Sequence, residues 1–229
     1  FNLMVPGSAC PSCDNTLSIW ENIPVLSYLL QKGKCKHCAS HISMQYPLVE
    51  ILTAVLSIVA VWYFGYSWKS VAALVFTWSL VTLAIIDLKT QLLPDQITLP
   101  LIWLGLLINL NGNGFTSYQH SLLGAVFGYL TLWAIYHLFR LLTGKEGMGY
   151  GDFKLLAALG AWTGYTALPV TIILSSLTGA VIGILLIMTK QQNKGTPIPF
   201  GPFLAIAGVI AFYWGEQITD AYLSFSGIT

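Results

Sequence analysis

Between residues 47 and 213 the sequence is a succession of seven apolar stretches parted by short polar punctuation, and this pattern constrains the fold more than anything else in the chain. The stretches cover residues 47–64, 71–86, 97–110, 121–142, 155–165, 169–189 and 200–213. Crossing a bilayer as a helix takes about 20 residues, with a range of roughly 17 to 25. The third and fifth stretches fall short of that. They are expected to be completed by their polar flanks or shielded by neighbouring helices, as short elements at membrane depth must be. Only 8% of the 229 residues are charged, against about a quarter in a soluble domain. A water-facing surface cannot be assembled from so few charges, so the expected fold is an all-α polytopic membrane protein with about seven transmembrane helices.

The charges that exist are distributed unevenly. With seven crossings in series and the N-terminal module on side one, that side collects Lys32, Lys34, Lys36, Lys89, Arg140, Lys145, Lys154, Lys190 and Lys194, and the other side holds Lys69. Basic loops stay in the cytoplasm, so side one is expected to be cytoplasmic. A net charge of +1 leaves no basic surface to neutralise phosphates, which sets nucleic acid aside as a partner.

Composition shifts near residue 45. The segment before it contains all four cysteines and a mixture of Pro, Gly, Ser and Asn that reads as a loop-rich module. The expected domains are therefore a cytoplasmic tetracysteine module, residues 1–45, and a transmembrane domain, residues 46–229. Cys10 with Cys13 and Cys35 with Cys38 make two CxxC knuckles separated by 21 residues, just beyond the usual zinc-ribbon window of about 15 to 20. Four thiolates converging on one ion predict a structural zinc site, closed to substrate. Paired disulfides are disfavoured in a reducing cytosol. His37 and His41 lie close by and are expected to be bystanders.

Two of the nine acidic residues call for explanation. Asp87 ends the second apolar stretch, and Asp152 stands where the fifth helix is expected to begin, which it could also cap. Both fall on side one. Two carboxyls within about 3 to 6 Å in a partly dry site cannot both ionise easily, so the pair holds one proton and can activate water. Gly149 and Gly151 flank Tyr150 just before Asp152, and their lack of side chains would let an extended peptide backbone come close. Asp95, after the turn closed by Pro94, is a supporting residue that could position its neighbours or hold a helix N-terminus, and Lys154 is a second supporting residue. Glycine pairs four apart, Gly124 with Gly128, Gly160 with Gly164 and Gly179 with Gly183, are assigned to helix packing. No HExxH, GxSxG or phosphate-loop lysine motif is present, and the four histidines make no triad, so catalytic-metal, serine-nucleophile and nucleotide chemistries have no foothold.

The segments CPSC, ENIPVLSYL, GKCKHC, YPLVEILT, IIDLKTQLLPD, GMGYGDFKLLAALGAW and PIPFGP closely resemble the type IV prepilin peptidases, the leader peptidases of type 4 pilin and type II secretion systems. The likeness covers nearly the whole chain. It implies an integral inner-membrane aspartyl protease with Asp87 and Asp152 as its catalytic pair, cutting prepilins or pseudopilins after a short basic leader at the cytoplasmic face. Because the tetracysteine module belongs to the bifunctional branch of that family, it also implies N-methylation of the new amino terminus with S-adenosylmethionine. A further N-terminal membrane helix is expected from the resemblance, giving eight spans, and a basic residue where Gly7 stands. The segment from Lys190 to Phe200, with Pro197 and Pro199, and an apolar groove between spans are expected to hold the substrate helix. Two other classes fit the bare residues: a cation transporter or channel using membrane-edge Asp residues, and a scaffold docking a partner through its zinc module.

Overall fold

In the computed structural model, residues 8–189 and 198–226 are described. Gly7, Lys190, Lys194 and Pro197 lie outside them. The chain divides into two compact units, Phe1–Gly65 and Tyr66–Thr229.

The first unit holds the cysteine knuckles, a 3-10 turn Ile19–Asn22, the short helix α1 Leu26–Leu30 and the long helix α2 Gln45–Phe64. α2 begins two residues before the expected stretch, with Pro47 in its first turn, where the missing N–H costs no hydrogen bond. It stops at Gly65, whose φ of +64° ends the helical path.

The second unit contains α3 Trp68–Thr90, α4 Asp95–Asn109, α5 Tyr118–Thr143, α6 Tyr150–Thr163, α7 Leu168–Met188 and α8 Gly201–Ser226. Each of the seven apolar stretches thus corresponds to one long helix. Four segments are long and apolar enough to cross a membrane, namely α2, α3, α5 and Tyr165–Leu186. The fold is that of a multi-pass, all-helical membrane protein, with no strand among the described residues.

Local chemistry fixes the ends. At the head of α3 the N–H of Ser67 is accepted by Ser70 Oγ at 3.3 Å. α3 closes where Gln91 turns left-handed, φ +54°, and donates its N–H to the Asp87 carbonyl. Pro94 then sits extended, and its carbonyl accepts the N–H groups of Ile97 and Thr98 at 3.1 Å, which starts α4. Ser117 caps α5 by accepting from His120 N–H, and Gly144 ends it with φ +69°.

α6 is the axis of the second unit, buried at Asp152 and Phe153 and then without a break from Leu155 to Trp162. A helix apolar on every side must be surrounded by other helices, and glycines on its neighbours make the room. A Cβ on Gly124 would collide with the Gly160 carbonyl, and one on Gly128 would lie 2.6 Å from the Leu156 carbonyl oxygen. A Cβ on Gly105 of α4 would come 2.6 Å from the Trp162 ring, and one on Gly208 of α8 would collide with Leu159. The packing role expected for Gly124, Gly128 and Gly160 is what the structure shows. Gly164 differs, since it ends α6 with φ +85°.

The start of α6 departs from the expectation. Its first residue is Tyr150 and its cap is Gly149, so Asp152 lies inside the first turn and donates its N–H to the Gly149 carbonyl at 3.2 Å. Asp152 is therefore not the helix cap. The apolar run begins later than the helix because Tyr-Gly-Asp-Phe-Lys is polar enough to interrupt the run without breaking the hydrogen-bond ladder.

Candidate active site and metal centre

The contacts at α6 place helix ends together. Gly124 against Gly160 and Gly128 against Leu156 make α5 and α6 antiparallel. The C-terminal end of α5 and the N-terminal ends of α4, α6 and α8 therefore gather with the C-terminal end of α3. Asp87 and Asp152 both lie at that shared end, and both are buried, 5% and 6% exposed.

Three chain segments frame them. Gly201, the first residue of α8, donates its N–H to Asp87 Oδ2 at 3.0 Å. Leu93, in the turn between α3 and α4, lies against both Gly151 and Gly201: a Cβ on Gly151 would be 2.7 Å from Leu93 Cβ, and one on Gly201 would be 3.2 Å from Leu93 Cδ1. The open face of Gly151 is thus filled by Leu93, a different use from the close approach of a peptide backbone. Gly149 keeps room: an added Cβ would meet only Asp152 Oδ2, at 3.6 Å. Asp152 Oδ1 is buried and has no hydrogen-bond partner among the described residues.

Asp95 and Lys154 form an ion pair beside this end. Lys154 Nζ donates to both Asp95 oxygens, at 2.7 and 2.8 Å, and ties the first residue of α4 to the second turn of α6. Gly201, Leu93 and Gln91 carried no assigned role in the sequence. The available signals were the segments IIDLKTQLLPD and PIPFGP that contain them, with Gly201-Pro202 at the start of an apolar stretch and the Leu93-Pro94 turn.

In the first unit the four cysteine sulfurs all lie within 4.8 Å of one another. The two knuckles are built alike. The carbonyl of Cys10 accepts the N–H of Asp14 at 2.8 Å, and the carbonyl of Cys35 accepts that of Ala39 at 2.9 Å. Asp14 and Ala39 are both left-handed, with φ of +53° and +56°. The bridges Ala9–Thr16 and Lys34–His41 flank the knuckles in the same register. An ion about 2.3 Å from each of four tetrahedral sulfurs sets them about 3.8 Å apart; Cys10 Sγ and Cys38 Sγ are 3.9 Å apart. Four such thiols cannot all ionise without a cation. The Ser12 backbone N–H brings Cys10 down to about 6. Cys13 is pushed up to about 12: the Asn15 backbone N–H works against this, but desolvation and the Cys38 and Cys10 sulfurs outweigh it. A metal ion fits this donor set. His37 is not in it; its Nε2 lies 3.8 Å from Glu21 Oε1. Beside the cysteines is a cavity of about 660 Å³ whose lining includes Glu21, Tyr28, Tyr46 and Glu50.

The comparisons with known proteins divide where the molecule does. Residues 1–64 match the bacterial Peptidase A24 N-terminal domain, and residues 74–184 match the type IV leader peptidase family. Several curated relatives bear the name prepilin leader peptidase/N-methyltransferase. The one from Pseudomonas aeruginosa is 55% identical over 227 residues, 99% of this chain and 78% of the relative. That from Aeromonas salmonicida is 57% identical over 224 residues, 98% and 77%; that from Neisseria gonorrhoeae is 51% identical over 221 residues, 96% and 76%. No solved structure matches the chain. With half or more of its residues shared with these relatives over nearly its full length, and with both of its units matched in order, the chain belongs to the type IV leader peptidase family.

Proposed function

We propose that this protein is a prepilin leader peptidase and N-methyltransferase, an aspartic endopeptidase of the GxGD kind that removes the leader of type IV prepilins or type II secretion pseudopilins and methylates the amino terminus it exposes. The observation that carries the peptidase half is the buried pair Asp87 and Asp152 at one shared helix end. One carboxylate takes a proton from water, the other gives a proton to the scissile amide, and no covalent enzyme species forms. Gly149, Gly151, Asp95 and Lys154 support the pair. The lopsided lysine distribution puts this end and the cysteine module at the cytoplasmic face of the inner membrane, where a substrate helix can remain in the bilayer while its leader is cut.

The functional units are a tetracysteine module, residues 1–45, and a transmembrane peptidase domain, residues 46–229. Cys10, Cys13, Cys35 and Cys38 hold zinc, whose four thiolates leave no position open for catalysis. S-adenosylmethionine supplies the methyl group. We place it in the cavity beside the cysteines, whose volume suits a nucleoside-sized ligand; Glu21 and Glu50 offer charge to its sulfonium, and Tyr28 and Tyr46 offer aromatic faces.

Purified protein in nanodiscs, given a prepilin and labelled methyl donor, should release the leader and methylate the product, read by mass spectrometry. Asp87→Asn and Asp152→Asn should each lower cleavage by roughly 10³-fold and still methylate a pre-cleaved substrate, which shows that the variants are folded. Retained cleavage in either variant refutes the pair. Glu50→Gln should weaken S-adenosylmethionine binding measured by calorimetry and change that of S-adenosylhomocysteine, which has no sulfonium charge, much less.

A further inference from the structure

The two carboxyls are held unequally. Asp87 Oδ2 accepts a buried backbone N–H from Gly201; the Asp152 carboxyl lies by the Gly149 N–H on its Oδ2 side, but its Oδ1 is buried with no donor among the described residues. An N–H aimed at a carboxylate favours its anionic form. A buried oxygen with no donor is satisfied when it carries the proton and gives it to whatever lies before it. The approach of Gly201 depends on its having no side chain, because a Cβ there would lie 2.6 Å from Asp87 Oδ2 and 3.1 Å from Cγ. Leu93 fills the opposite side, packed against Gly201 and Gly151.

Resting on the reading of this pair as catalytic, we infer that Gly201 is a positioning residue whose amide holds Asp87 as the ionised general base, leaving Asp152 as the proton-bearing general acid. Asp87 takes a proton from water as the water oxygen bonds to the scissile carbonyl carbon, and the Asp152 proton passes to the carbonyl oxygen. The resulting gem-diol collapses as the C–N bond breaks. The proton on Asp87 moves to the leaving nitrogen, one diol proton returns to Asp152, and the pair is restored. The Gly201 amide stays on Asp87 throughout, so each turnover begins from the same protonation state. Leu93 keeps the heads of α6 and α8 apart without a polar group that would compete for either carboxyl.

Two variants of the full-length protein in nanodiscs test this. Replacing Gly201 with glycolic acid by cell-free translation removes the N–H and adds no atom. It should lower kcat by roughly ten- to a hundredfold, leave KM within about twofold, and move the acidic limb of the kcat/KM profile up by about one to two pH units, because the anion has lost its donor. Gly201→Ala should lower kcat at least as far, and adding Leu93→Ala should not restore it, since the collision with Asp87 remains. Methylation of a pre-cleaved substrate reports folding. Wild-type kcat and an unmoved limb in the glycolic acid variant overturn the inference, as does recovery in the Gly201→Ala, Leu93→Ala double variant, which would mean that Gly201 only makes room for Leu93. Neither result touches the assignment of the pair, which stands or falls on Asp87→Asn and Asp152→Asn.

Discussion

Asp95 and Lys154 show how much a sequence can say about a single residue. Each was legible as a polar group at the edge of the site, yet neither could be given its partner, because 59 residues separate them. The pair is partly open to solvent, with side chains 54% and 26% exposed, and an ion pair of that kind contributes about 0 to 1 kcal/mol. Lys154→Met should therefore reduce prepilin cleavage by no more than a few-fold, and the thermal midpoint should fall by only a few degrees. A loss as deep as that of Asp87→Asn, measured in the same assay, would mean that Lys154 touches the reacting groups. The two glycines before Asp152 give a sharper contrast. Gly149→Ala adds a methyl at ordinary contact distance, and Gly151→Ala drives one against Leu93. Cleavage by the Gly151 variant should be the more impaired, and equal rates would contradict the observed packing. Asp87 and Asp152 themselves could be singled out because two acids at span ends on the same side can share a proton, which neither could do alone. Gly201 could not, since its role lies in a contact spanning 114 residues that no local pattern encodes.

The helices were visible through their apolar runs, and the errors have one cause. An apolar run marks where a helix meets lipid or core, whereas the helix itself ends where its hydrogen bonds end. α8 continues from residue 213 to Ser226 through Glu216, Gln217 and Asp220, which are polar but do not break a helix. α6 starts five residues ahead of its run for the same reason. The shortness of α6 was the more informative signal, because it required shielding by neighbours, and α4, α5 and α8 supply it. That shielding depends on backbones lying nearly in contact, which leaves no space for added atoms. Gly124→Ala and Gly160→Ala should each destabilise the second unit by about 1 to 3 kcal/mol, seen as a lower unfolding midpoint in detergent. Gly112→Ala, at a turn where nothing lies within 4 Å, isolates the cost of its positive φ and should be the milder change.

At the scale of the molecule, the alternating helix directions of the second unit put Lys89, Arg140, Lys145 and Lys154 at the end that carries the two aspartates and put Lys69 at the other. The charge count that suggested a sidedness thus agrees with the packing of that unit. The first unit works by a different principle. Among the described residues, the segment holding its knuckles contributes only Cys10 and Cys35 to the buried hydrophobic residues, so burial alone would not hold it and a bound ion would contribute much of its folding energy. The sulfurs are 3.9 Å apart at Cys10 and Cys38, far beyond the bond length of about 2.05 Å of a disulfide, so no covalent staple substitutes for the ion. Protein purified under reducing conditions should carry about one zinc per chain, and Cys35→Ser should abolish that content. Limited proteolysis of the Cys35→Ser variant should then cut between residues 8 and 44 within the time that leaves the wild type intact, while fragments from the second unit persist, because its core contains none of the four cysteines. Wild-type resistance of the metal-free module would show that its loops hold themselves, and the ion would lose its structural role.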